Sequence, residues 1–160
     1  MRFDKFTVKS QELIQEAQSL ATAKGHQQIE PEHLLMAMLA DTDGIALSVL
    51  HKLGVSPESV SQALMKALEV FPSVSGSHQD VYLSPRTRTV LDTAFDESIK
   101  MKDQYVSIEH ILLSISEEKG GKASEILSQF GITREPLFKA LVDIRGSQRI
   151  TDPNPEEKYQ

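Results

Sequence analysis

At 160 residues the chain is long enough to bury roughly 70% of the surface its unfolded form exposes, and without a single cysteine it must hold its core with no disulfide or thiolate metal site. The formal charge of −6 comes with lysines and arginines scattered along the chain, which leaves out the basic patch of a nucleic-acid binder. No run approaches the ~18 apolar residues of a membrane span, and the charged opening Met1-Arg2-Phe3-Asp4-Lys5-Phe6 is unlike a secretory signal, so a cytoplasmic chain with no membrane partner is expected.

Thr7 supplies a hydroxyl suited to capping a helix, and Leu13, Ile14, Ala17, Leu20 and Ala21 then recur at helical spacing. They predict a first helix near 8–24. Pro31, behind Glu30, opens a second near 31–41, since a missing amide hydrogen costs nothing at the first helical position. A third, near 45–53, stops at Gly54, where a left-handed cap is expected, and Ser56-Pro57 starts a fourth near 57–71. The stretch Pro72-Ser73-Val74-Ser75-Gly76-Ser77-His78-Gln79-Asp80 is rich in turn formers and lacks a period, so residues 72–83 read as a linker. Ser84-Pro85 then begins a second series, with helices near 85–101, 108–118, 122–130 and 134–145. No window shows the alternation of a strand. Residues 148–160, with Pro153, Pro155 and few apolar side chains, read as a mobile linker toward a further domain.

The second series copies the first. Sliding the sequence by 77 positions places Ala17 on Ala94, Glu32-His33-Leu34-Leu35 on Glu109-His110-Ile111-Leu112, Ala46 on Ala123, Leu50 on Leu127, Gly54 on Gly131 and Ala63-Leu64 on Ala140-Leu141. Repeat one covers 7–70 and repeat two 84–147, with no gap, and the punctuation coincides: Thr7 with Ser84, and Ser56 with Thr133. The expected fold is all-α, eight helices in two tandem four-helix units related by a pseudo-twofold axis. Their junction is the natural place for a groove lined by equivalent residues of both halves, although a fully closed junction is equally physical.

Three constellations have plain structural readings. Gly120-Gly121-Lys122-Ala123-Ser124 invites comparison with a phosphate loop, but position 116 is Ser, position 123 is Ala, and the run falls between two helices, so it reads as a turn. His33 and His110 share one repeat position and read as structural rather than as a metal pair. No pair of carboxylates and no Gly-x-Ser-x-Gly turn singles out a catalytic site, so no enzyme activity, cofactor or metal is expected in these residues.

The opening through Thr7, with Ile29-Glu30-Pro31-Glu32-His33-Leu34-Leu35 and its copy Val106-Ser107-Ile108-Glu109-His110-Ile111-Leu112, resembles the double Clp repeat over residues 1–147. That module is the N-terminal domain of the Clp family of ATP-driven unfolding machines. The opening and the tail Asp152-Pro153-Asn154-Pro155-Glu156-Glu157-Lys158-Tyr159-Gln160 are most similar to its disaggregase branch, ClpB. The resemblance implies a fragment, monomeric on its own, of a homohexamer whose ATP and Mg sites lie elsewhere, and which works with the DnaK chaperone system on unfolded or aggregated polypeptides after heat stress. It also implies Thr7, Asp103 and Glu109 as substrate-binding residues. Each has a structural explanation too: Thr7 as a cap, Asp103 in a loop, Glu109 in a helix's first turn where the dipole favours negative charge. The alternative is an adaptor-docking domain of a ClpC- or ClpA-type unfoldase coupled to a peptidase.

Overall fold

The computed structural model describes residues 3–74, 80–146, 151 and 153–156. Among them run eight α-helices: α1 (Val8–Ala23), α2 (Pro31–Ala40), α3 (Ile45–Lys52), α4 (Pro57–Glu69), α5 (Pro85–Lys100), α6 (Ile108–Glu117), α7 (Lys122–Gln129) and α8 (Arg134–Arg145). Each ends within two residues of its expected bounds. Thr7, Ser56 and Ser84 accept the amide hydrogens of Ser10, Ser59 and Thr87, which satisfies orphan donors in the first turn. Thr133 holds the equivalent place before α8, but its side chain makes no capping bond. Gly54 and Gly131 adopt φ of +72° and +76°, the left-handed caps that glycine accepts without strain.

Two strands appear that the sequence does not announce. β1 (Gln28–Ile29) and β2 (Tyr82–Leu83) pair in parallel, Gln28 with Tyr82 and Ile29 with Leu83, so the 72–83 linker ends in strand. Two residues are too few to show a period of two. The pairing obeys the duplication: Phe6 bridges Val106 in parallel, one repeat away from Leu83 on Ile29. The hydrogen bonds repeat as well. Ser84 N donates to Ile29 O at 3.1 Å and Thr7 N to Val106 O at 3.0 Å, while Thr87 Oγ1 donates to Ile29 O and Ser10 Oγ to Val106 O. The segment entering each copy is thereby tied to the other copy.

The two copies also interlock through their helices. α3 packs on α6 and α8, α7 packs on α2 and α4, and α2 meets α6. Leu34, Leu35, Ile111 and Leu112 are buried there in one core cluster that runs through both units, each contributing roughly 1.5–3 kcal/mol of transfer free energy. The middle of the junction is therefore closed, and the groove lined equally by both halves is not formed. The tail reading also changes over the described residues. Pro153 O accepts the amide hydrogen of Val8 at 2.7 Å, and Pro155 and Glu156 are buried, because the start of α1 presents donors that an extended strand of chain can satisfy. Residue 147, at the end of repeat two, and residues 148–150, 152 and 157–160 of that tail lie outside the described residues.

Candidate functional site

The interlocking leaves two related places beside the junction, and the side chains at them differ. Beside the start of α5, Arg86 lies between two carboxylates. Its Nε and NH2 donate to Glu118 at 2.7 and 2.8 Å, and NH2 and NH1 reach Glu32 at 2.9 and 3.3 Å. Glu32 is fully buried and also accepts the Ala123 amide hydrogen at 2.8 Å, so the first turn of α7 receives a carboxylate where the helix dipole favours one. A Cβ at Gly121 would lie 2.0 Å from Glu118 Oε1, so any larger residue there would have to displace the Glu118 carboxylate. The Gly120–Ser124 run is thus a helix-to-helix turn whose amide is already taken, and it does not fit a nucleotide phosphate.

Beside the start of α1 the same repeat positions carry Lys9, Asp41 and Glu109, and the arginine is missing. Glu109 is fully buried, Arg145 approaches it with Nε at 3.7 Å, and among the described residues neither of its oxygens has a hydrogen-bond partner. The other two candidate residues join the same cluster. Thr7, also fully buried, caps α1 and donates through Oγ1 to Glu156 Oε1 at 2.6 Å. Asp103 is clasped by Arg145, whose NH1 and NH2 lie 3.0 and 2.7 Å from its carboxylate. On its other side stands His110. That ring accepts the Ser107 amide hydrogen at Nδ1, so its neutral form carries the proton on Nε2, which donates to Asp103 Oδ2 at 2.7 Å. Burial, and the charge of Glu109 to a lesser degree, push the Glu156 carboxyl up to about 6.

All three candidate residues thus fall on one polar chain running from Thr7 and Glu156 past Glu109 to Arg145, Asp103 and His110. None is open to solvent. The open surface is next to them. A cleft of about 170 Å³ lies between α1, the turn from α2 to α3 and the start of α6. Leu13, Ala37, Met38, Ile45, Ala46 and Ile108 form its apolar lining, the exposed carboxylates of Glu12, Glu16, Asp41 and Asp43 stand at its rim with Lys9, and Glu156 forms one wall. It belongs mostly to repeat one.

The paired histidines serve structure. His33, fully buried, accepts the Glu30 amide hydrogen at Nδ1 and donates from Nε2 to His26 Nδ1 at 2.8 Å, with Phe71 packed against both rings. Burial, then the neighbouring His26, lowers His33 to about 4. Among the described residues no group of three His, Cys, Asp or Glu is placed to hold a metal. Sequence reasoning missed Arg145 and Glu156. Arg145 matches Leu68 in repeat one, and that break in the repeat was the signal for it; a buried glutamate in a proline-rich tail leaves no signal.

The family model for the Clp repeat (R) N-terminal domain matches residues 5–130. The chaperone protein ClpB of Bacillus cereus is 37% identical over 163 aligned residues that take in 100% of this chain and 19% of that protein, so the chain spans about a fifth of its length. Among solved structures, the Hsp104 N-terminal domain from Candida albicans gives a TM-score of 0.83 at 23% identity, covering 95% of this chain and 99% of that one. A complex of the ClpV N-domain with a VipB peptide gives 0.63 at 18% identity, covering 88% and 86%.

Proposed function

This chain belongs to the Clp N-terminal domain family, and from that premise we propose that it is the substrate-recognition domain of a ClpB-type, ATP-driven chaperone. The observation that carries the reading is the match of the whole chain to ClpB at 37% identity. ATP turnover, its magnesium, hexamer assembly and cooperation with the DnaK system belong, in this reading, to the four-fifths of such a protein beyond the aligned region.

The cleft beside α1 is the place for substrate. Its apolar lining offers the non-directional attraction that a sequence-tolerant binder needs, and four exposed carboxylates against one lysine favour apolar segments flanked by Lys or Arg. That the related fold of a ClpV N-domain holds a peptide supports a polypeptide as occupant. Thr7 and Glu109 lie buried behind the Glu156 wall of the cleft and meet substrate once that wall moves, while Asp103, held by Arg145 and His110, orders the cluster from within.

Titrating the chain with a reduced, carboxymethylated protein, and separately with the same protein in its native form, tests this reading. Weak, saturable binding of the unfolded form is expected, and Ala37→Glu, at a half-buried lining position, should abolish it with helicity unchanged. Preference for the native form would favour an adaptor-docking domain, and no binding of either would overturn the assignment.

A further inference from the structure

Resting on the reading that Thr7 and Glu109 meet substrate, we infer that segment 153–156 is a built-in competitor for that site. It occupies the two polar groups at the start of α1: Pro153 O accepts from Val8 N, whose amide hydrogen has no partner within the helix, and Glu156 accepts from the Thr7 hydroxyl. Its glutamate forms one wall of the cleft. An extended peptide arriving from outside would need the same donors.

The seat is occupied without being well satisfied. Glu156 accepts from Thr7, and the backbone amides of Ile108 and Glu156 also favour its charged form, yet among the described residues its Oε2 and both oxygens of Glu109 are buried without a hydrogen-bond partner. A second carboxylate has been brought toward one that already lacks donors, which is an unfavourable ending for a buried charge. Within the segment Pro155 and Glu156 are buried while Pro153 stays exposed. The segment is held by a few polar bonds, and an occupant bringing amide or cationic donors would serve the glutamates better.

The duplication supplies the internal comparison. At the matching place in the other half, Arg86 fills the space with its own guanidinium and satisfies Glu32 and Glu118. Position 9 carries a half-buried Lys that makes no such clasp, so this place is completed from elsewhere in the chain. The tail occupies it when nothing else does, and substrate engagement is coupled to release of the segment leading toward the rest of the protein.

The 160-residue chain, a chain ending at Thr151, and Glu156→Gln would be compared by two readouts: amide exchange at Val8 without ligand, and affinity for reduced, carboxymethylated α-lactalbumin. The glutamine keeps an acceptor for Thr7 and adds a donor toward Glu109, so it should dock more firmly. Protection of the Val8 amide should be lost on truncation, with affinity rising three- to tenfold, and Glu156→Gln should weaken affinity by a similar factor. Unchanged Val8 exchange on truncation, or equal affinities in all three chains, would overturn the competition and leave the substrate reading standing. If no chain binds the probe while Val8 exchange still differs, the substrate reading falls and takes the competition with it.

Discussion

Replacing Asp103 by Ala removes the acceptor of three hydrogen bonds at once: two from Arg145, at 3.0 and 2.7 Å, and one from His110 Nε2 at 2.7 Å. Arg145 is only 5% exposed and His110 is fully buried, so neither recovers its lost partner from water. Breaking a buried ion pair from one side costs about 3–5 kcal/mol. Arg145 keeps a second carboxylate within reach, since Glu109 Oε2 lies 3.7 Å from its Nε with no hydrogen bond of its own, and a small rotation would place the guanidinium on it. The expected loss is therefore at the low end, about 3 kcal/mol, or roughly 6–12 °C in Tm for a chain of this size. Urea unfolding followed by circular dichroism measures it, with an unchanged m value. In a double-mutant cycle, Arg145→Met should recover part of the loss, because it removes the stranded charge. A loss under about 1 kcal/mol, or full additivity in the cycle, would refute the assignment of Asp103 to the core of the polar chain. Reduced substrate binding by an Asp103 variant would then carry meaning only where the folded fraction is known.

Arg86→Ala should cost about 2 kcal/mol, because Glu32 loses its cation while keeping the Ala123 amide; Lys9→Ala, at the matching repeat position, should stay within about 0.5 kcal/mol, and equal costs in urea melts would contradict the asymmetry of the two sites. Gly121→Ala forces Glu118 out of its pair with Arg86 and should lower Tm by several degrees in a thermal melt. Acid should weaken the fold through His33. Its folded pKa is lowered from 6.5 to about 4, so the unfolded chain takes up that proton first, and the stability present above pH 6.5 is lost as pH falls toward 4, by at most about 3 kcal/mol. Urea melts at pH 7 and pH 5 should show a slope that His33→Gln reduces; an unchanged slope in that variant would exclude His33 as its source.

The helices were legible because capping and periodicity act locally: Thr7, Ser84, Gly54 and Gly131 each announce a backbone geometry settled within a few residues. The duplication was legible for the same reason, read twice. What escaped was set by contacts between distant segments. The two-residue pairing of Ile29 with Leu83, and of Phe6 with Val106, follows from how the copies interlock and has no local pattern. Thr7, Asp103 and Glu109 stood out through resemblance, yet their connection runs through Arg145, a departure from the repeat, and Glu156, which reaches Thr7 across 149 positions. The direction of the groove also depended on side chains. Arg86 fills one of the two related places and Lys9 leaves the other, so a symmetric sequence gives a one-sided cleft.

Mapping the binding of a reduced, carboxymethylated protein onto this chain by amide and methyl chemical shifts tests the central claim most directly. The account predicts saturable changes confined to Leu13, Ala37, Met38, Ile45 and Ile108 around the cleft, and at Val8 where segment 153–156 is displaced. Changes centred instead on the His26 and Phe71 side of the molecule, or none up to the solubility limit of the unfolded protein, would contradict it.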